Sequence, residues 1–203
     1  CPVSRGLNST VVKEDGKIVE QVWKVGGKYG KYLEQIVFWL EQALSYACNE
    51  QQQKAMHLLI DYYKTGDLKL FDDYSIEWLK EDEASVDFIN GFIEVYGDPL
   101  AYKASWESVV EIVDREACER TGKLAENALW FEQHAPVDER FKKTEVKGIM
   151  ARVMQVAMLG GDCHPSTPIG INLPNAEWIR ERYGSKSVTL DNITYAYDMA
   201  ARF

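Results

Sequence analysis

Groups able to do chemistry are few in this chain and poorly spaced for it. His57, His134 and His164 stand far apart, and none belongs to an H-E-x-x-H or H-x-H pair that would place two imidazoles on one metal ion. Cys1, Cys48, Cys118 and Cys163 are irregularly spaced with no C-x-x-C pair, which argues against a zinc knuckle or a dithiol redox motif and fits a reducing cytoplasm. No G-x-S-x-G elbow or phosphate loop occurs, and the glycines of "KVGGKYG" (24–30) read as a turn. Carboxylates are plentiful, but most fall on polar helix faces. The exceptions, Asp87, Glu94 and Asp98, lie in or beside the apolar run "VDFINGFIEVYGDP" (86–99), where a charge faces outward from an edge more often than it binds a substrate. One further stretch is unusual. In "HPSTPIGINLPNAEW" (164–178), Pro165, Pro168 and Pro174 bracket an apolar run with Asn172 in its middle, so the segment cannot be helical and fits poorly in the centre of a sheet. An extended, partly unpaired strand is expected there.

The elements that must position these residues follow from periodicity. Asp15-Gly16 between two β-rich runs predicts a two-residue hairpin. Tyr32, Leu33, Ile36, Val37, Leu40, Leu44 and Ala47 recur at helical spacing from Tyr29 to about Cys48. A second helix carries Met56, Leu59, Tyr62 and Tyr63 and ends at Gly66, and "DDYSIEWLKEDE" (72–83) gives a short acidic third. Residues 86–96 read as a strand. The stripe Trp106, Val109, Val110, Val113, Ala117, Thr121, Leu124 and Ala128 predicts one long helix from about 105 to 134, broken by Pro136. "IMARVMQVAMLGG" (149–161) resumes as a buried strand. Asn175 is placed to cap a short helix that Gly184 ends, "KSVTL" (186–190) is a further strand, and Asp191 is placed to cap a last helix.

The 203 residues, 46% hydrophobic and with six Trp and eleven Tyr, suffice for one large domain or two small ones. A net charge of −9 with no Lys/Arg face argues against a nucleic-acid partner. The apolar runs are short and interrupted by charge, so neither a membrane span nor a signal peptide is read, and no membrane partner is expected. Cys1-Pro2 without an initiator methionine reads as a piece of a longer chain, which leaves export open from this end.

Four blocks in register, "GLNS" (6–9), "VWKVGGKYG" (22–30), "GFIEVYGDPLAYKASWE" (91–107) and "GINLPNAEWIR" (170–180), resemble the dipeptidyl peptidase III family of zinc-dependent exopeptidases, in wording closest to its bacterial members. The resemblance implies a two-lobed parent enzyme that removes dipeptides from the N-terminus of oligopeptides. Its zinc would be held by H-E-x-x-G-H and E-E-x-x-A-(D/E) helices downstream of this sequence. This chain would then be an α+β piece. Residues 1–104 and 146–203 would make a β-core lobe, and 105–145 a helical excursion toward the zinc lobe, which would be a partner within the same polypeptide. No catalytic or metal-binding residue would lie here, and the chain alone is expected to be inactive and without zinc.

The resemblance also answers why an unpaired strand should sit at 168–174. An open edge accepts an extended peptide by β-augmentation, and the matching family segment does this for the substrate backbone. Gly170, Ile171, Asn172 and Asn175 would form that edge. The family's carboxylate before the "GFIE" strand matches Asp87, shorter by one methylene, and the family's tyrosine two positions on is Ile89 here. Asp87, and less directly Glu94, would receive the peptide's ammonium end. Two readings of other classes stand beside this one: a non-catalytic peptide-docking module, and a structural domain with an incidental Asn/Pro pattern.

Overall fold

The computed structural model describes residues 4–146 and 149–202. The chain is α+β, as expected, and divides into two compact units: residues 1–84 with 89–108, and residues 85–88 with 109–203.

In the first unit, strands β1 (Ser9–Glu14) and β2 (Lys17–Val22) pair antiparallel. Asp15 (φ 48°) and Gly16 (φ 78°) both turn left-handed, which matches a two-residue turn to the twist of its strands. Helix α1 (Gly30–Ala43) is followed by a short 3₁₀ turn, then by α2 (Glu50–Thr65) and α3 (Leu68–Lys80). The Asn49 side chain accepts the Gln52 N–H at the start of α2, and Gly66 at φ 76° closes it. The face of α2 read from periodicity is the buried one: Met56, Leu59, Tyr62 and Tyr63 are all in the core. Tyr63, Tyr62, Phe71 and Tyr74 form a run of tilted rings with centroids 4.8–5.7 Å apart along α2 and α3. Gly91 is required beside them, because a Cβ there would lie 2.7 Å from Phe71 Cε2.

Strand β3 (Val86–Glu94) falls where it was expected. The long helix over 105–134 does not form. Residues Ser105–Val113 are strand β4, and helix begins only at α4 (Arg115–Glu126), breaks at Asn127 and resumes as α5 (Ala128–His134). The buried positions of β4 are Glu107, Val109 and Glu111, a period of two. Two of those three are carboxylates, so the inward face carries no apolar alternation, and the remaining valines mimic a helical stripe. The β-branched content of "VVEIV" decides for the strand.

Strands β5 (Ile149–Gly161), β6 (Gly170–Leu173) and β7 (Ser185–Leu190) join β3 and β4 in one sheet of order β3-β4-β5-β7-β6. β5 runs parallel to β7, and β6 antiparallel to it. Met154, Val188 and Leu190 form a core with Val113, Val156, Ile171 and Ile193. Two cap assignments change. Helix α6 (Glu177–Tyr183) has Ala176 at its N-cap with no side-chain cap bond, so Asn175 does not cap it. Helix α7 (Asp191–Ala201) starts with Asp191 as its first residue rather than its cap. Asn192 instead binds across to β5, accepting the Val156 N–H and donating to its C=O.

Candidate functional site: an open sheet edge and a buried charge row

β6 lies at one edge of the five-stranded sheet, and among the described residues β7 is its one neighbour. Its register is Gly170 with Thr189, Ile171 with Val188, Asn172 with Ser187 and Leu173 with Lys186. The N–H of Leu190 donates to Ile169 C=O at 3.0 Å, so 169 and 190 form a hydrogen-bonded pair. Antiparallel alternation then makes 171–188 and 173–186 the bonded pairs and turns the N–H and C=O of Gly170 and Asn172 outward. The Asn172 carbonyl receives Arg180 Nη1 at 3.5 Å.

The side chains sort by face. Ile171 is half-buried against the Val188 cluster and Leu173 is buried, while Gly170 and Asn172 are exposed. Gly170 is constrained by more than exposure: a Cβ there would meet the Val188 carbonyl oxygen at 3.0 Å. A cis Leu173–Pro174 bond follows the strand. Asn175 is exposed, and Glu94 is half-buried at the end of β3 in the other unit.

Asp87 is not at an open surface. It is 2% exposed, and its Oδ2 lies 3.1 Å from Lys186 Nζ and 3.8 Å from Arg152 Nη1. The sequence expectation set this carboxylate against a peptide ammonium; in this chain the cations beside it are Lys186 and Arg152. Asp87 belongs to a row that sequence reasoning missed. Asp87 on β3, Glu111 on β4, Arg152 on β5 and Lys186 on β7 place one charge on each of four consecutive strands. Glu111 and Lys186 are 0% exposed and Arg152 is 7% exposed. No protein donor reaches either carboxylate oxygen of Glu111, and Arg152 Nη1 has no hydrogen-bond acceptor. Burial pushes the Glu111 carboxyl up to about 8; the negative charge of Asp87 adds to this, and Lys186 and Arg152 oppose it. The signal was present in the sequence as a lone charge inside each of "VVEIV", "ARVMQV" and "SKSVTL".

Among the described residues no three His, Cys, Asp or Glu side chains converge so as to hold a metal ion, and the donor set present does not fit zinc. Among the described residues no helix is long and apolar enough to cross a membrane.

The profile of Peptidase family M49 matches residues 6–202. Dipeptidyl peptidase 3 of Dictyostelium discoideum is 33% identical over 90% of this chain and 26% of its own length, and the Homo sapiens protein is 27% identical over 82% and 22%. The structure of DPP III from Caldithrix abyssi superposes with a TM-score of 0.83 at 25% identity, covering 95% of this chain and 36% of that one. The chain belongs to peptidase family M49. It spans about a quarter of the length of the curated relatives it matches.

Proposed function

We propose that this chain is the substrate-docking part of a zinc-dependent dipeptidyl peptidase, in which β6 pairs with the backbone of an oligopeptide whose N-terminal dipeptide is removed. The observation that carries this is the outward orientation of the Gly170 and Asn172 backbone groups on an edge strand. Gly170 and Ile171 supply backbone at that edge, and Asn172 and Asn175 supply exposed side-chain amides. Zinc, with its Lewis-acid role and its activated water, belongs to sequence outside this chain, and by itself the chain is inactive. Cytoplasmic residence, from the cysteine pattern, is part of the same proposal.

Asn172→Ala tests it. The side chain is exposed, so the unfolding free energy of the chain should change by less than about 0.5 kcal/mol. In the longer enzyme the same change should lower kcat/KM by roughly 1–3 kcal/mol of transition-state binding, because a polar group of the bound peptide loses its partner. A stability loss above about 2 kcal/mol in a denaturant melt would make Asn172 a structural residue and end the docking reading.

The rest of the polypeptide is the second proposed partner. Leu124, Leu129, Trp130, Phe131, Val137 and Phe141 are all exposed on and after α4 and α5, and clustered exposed apolar side chains mark interaction surfaces. With so little local burial, the amides of α5 should exchange with solvent well before those of β7. Equal protection of the two in a monomer, measured by hydrogen exchange, would count against this partner.

A further inference from the structure

The buried charge row is a poor design for stability alone. Apolar residues of similar volume do as well or better at such positions, and each buried ion costs several kcal/mol in desolvation. Its two incomplete members share an element boundary. Glu111 on β4 has two oxygens without a donor, and Arg152 on the adjacent β5 has a guanidinium nitrogen without an acceptor, engaged only at 3.8 Å by Asp87. A carboxylate and a guanidinium on neighbouring strands, each short of the other's complement, define a second possible pairing within the same row.

We propose that Asp87, Glu111, Arg152 and Lys186 form a two-position proton switch. With Glu111 protonated, Asp87 holds both Lys186 and Arg152; when Glu111 releases its proton to solvent, the Arg152 guanidinium moves to Glu111 and Asp87 keeps Lys186. Arg152 and Lys186 stay charged throughout, so one proton is the whole of the exchange. The charged groups facing Glu111 are Asp87 from β3, Arg152 from β5 and Lys186 from β7. Among the described residues, the helix contacts with β5 that carry hydrogen bonds are uncharged: Cys118 of α4 at the Val153 backbone and Asn192 of α7 at Val156. The raised proton affinity of Glu111 supports this assignment. The inference stands whether or not β6 docks a peptide, although β7 carries both Lys186 and the bonds to β6.

The sign of the pH dependence follows. Below the ordinary value of 4.5 the carboxyl is protonated in folded and unfolded chains alike. From there to about 8 the unfolded chain gives up its proton while the folded chain keeps it, so stability from this group falls as pH rises. The unfolding equilibrium constant should therefore grow by about tenfold per pH unit across that window, relative to Glu111→Gln, in which the slope is absent.

The test is denaturant unfolding of both chains from pH 5 to 9, with a carboxyl ¹³C titration of the wild type, which decides the matter if the variant does not fold. The expected result is a Glu111 resonance titrating well above the usual carboxylate range, with the Arg152 side-chain ¹⁵N signals shifting at the same pH. Parallel pH profiles for the two chains, a Glu111 carboxyl titrating near pH 4–5, or Arg152 signals that stay fixed while Glu111 titrates would each overturn it.

Discussion

Replacing Lys186 with alanine should destabilise the chain by about 3–5 kcal/mol, the cost expected when one partner of a buried ion pair is removed. The ammonium is fully buried and sits 3.1 Å from Asp87 Oδ2. Without it the carboxylate, 2% exposed, loses its nearer cation and keeps the more distant Arg152 at 3.8 Å. The loss measures an uncompensated charge, so a double change should recover much of it. Lys186→Met with Asp87→Asn should be more stable than Lys186→Met alone by on the order of 1–3 kcal/mol. Urea melts of the three variants at pH 7 check this. A loss below about 1 kcal/mol for Lys186→Ala would mean that Asp87 re-pairs or protonates at little cost, and the row would not be the organising feature of this sheet.

Leu59→Ala is expected to cost about 2–5 kcal/mol, from lost transfer free energy plus the cavity left behind. Leu59 is 0% exposed on α2, a helix that packs against both α1 and α3. Tyr63→Phe, one turn on, should cost less, about 1–3 kcal/mol, through unmet polar groups rather than volume. Its hydroxyl donates to Asn90 Oδ1 and accepts Trp106 Nε1–H at 2.9 Å, and Asn90 in turn donates to Ser108 Oγ at 3.3 Å. Both costs would appear as shifts in the urea midpoint with m unchanged. If Tyr63→Phe proved the more damaging, the polar network and not the aliphatic core would be holding α2 against the hairpin of residues 89–108.

Much of this was legible without coordinates because it depends on near neighbours in sequence. Asp15-Gly16 dictates its turn through two left-handed residues, Gly66 ends α2 the same way, and Pro168 and Pro174 keep 170–173 short and extended. Helical periodicity placed α1 and α2 because their buried faces are apolar. It failed over 105–113, where the buried face holds Glu107 and Glu111 and the pattern of hydrophobicity no longer marks the inside.

The sequence by itself therefore determined most of the local elements, the edge character of "GINLPN" and, through its four blocks, the family. Only the tertiary structure decided which charges are interior. Asp87, Glu111, Arg152 and Lys186 are brought together by the strand order β3-β4-β5-β7, with Asp87 and Lys186 separated by 99 positions in the chain. A carboxylate reads as solvent-facing in any local window, because its desolvation cost is offset only by cations that the sheet brings from far along the chain. For the same reason Asp87 read as open to a peptide ammonium when its partner was a lysine nearly a hundred residues away.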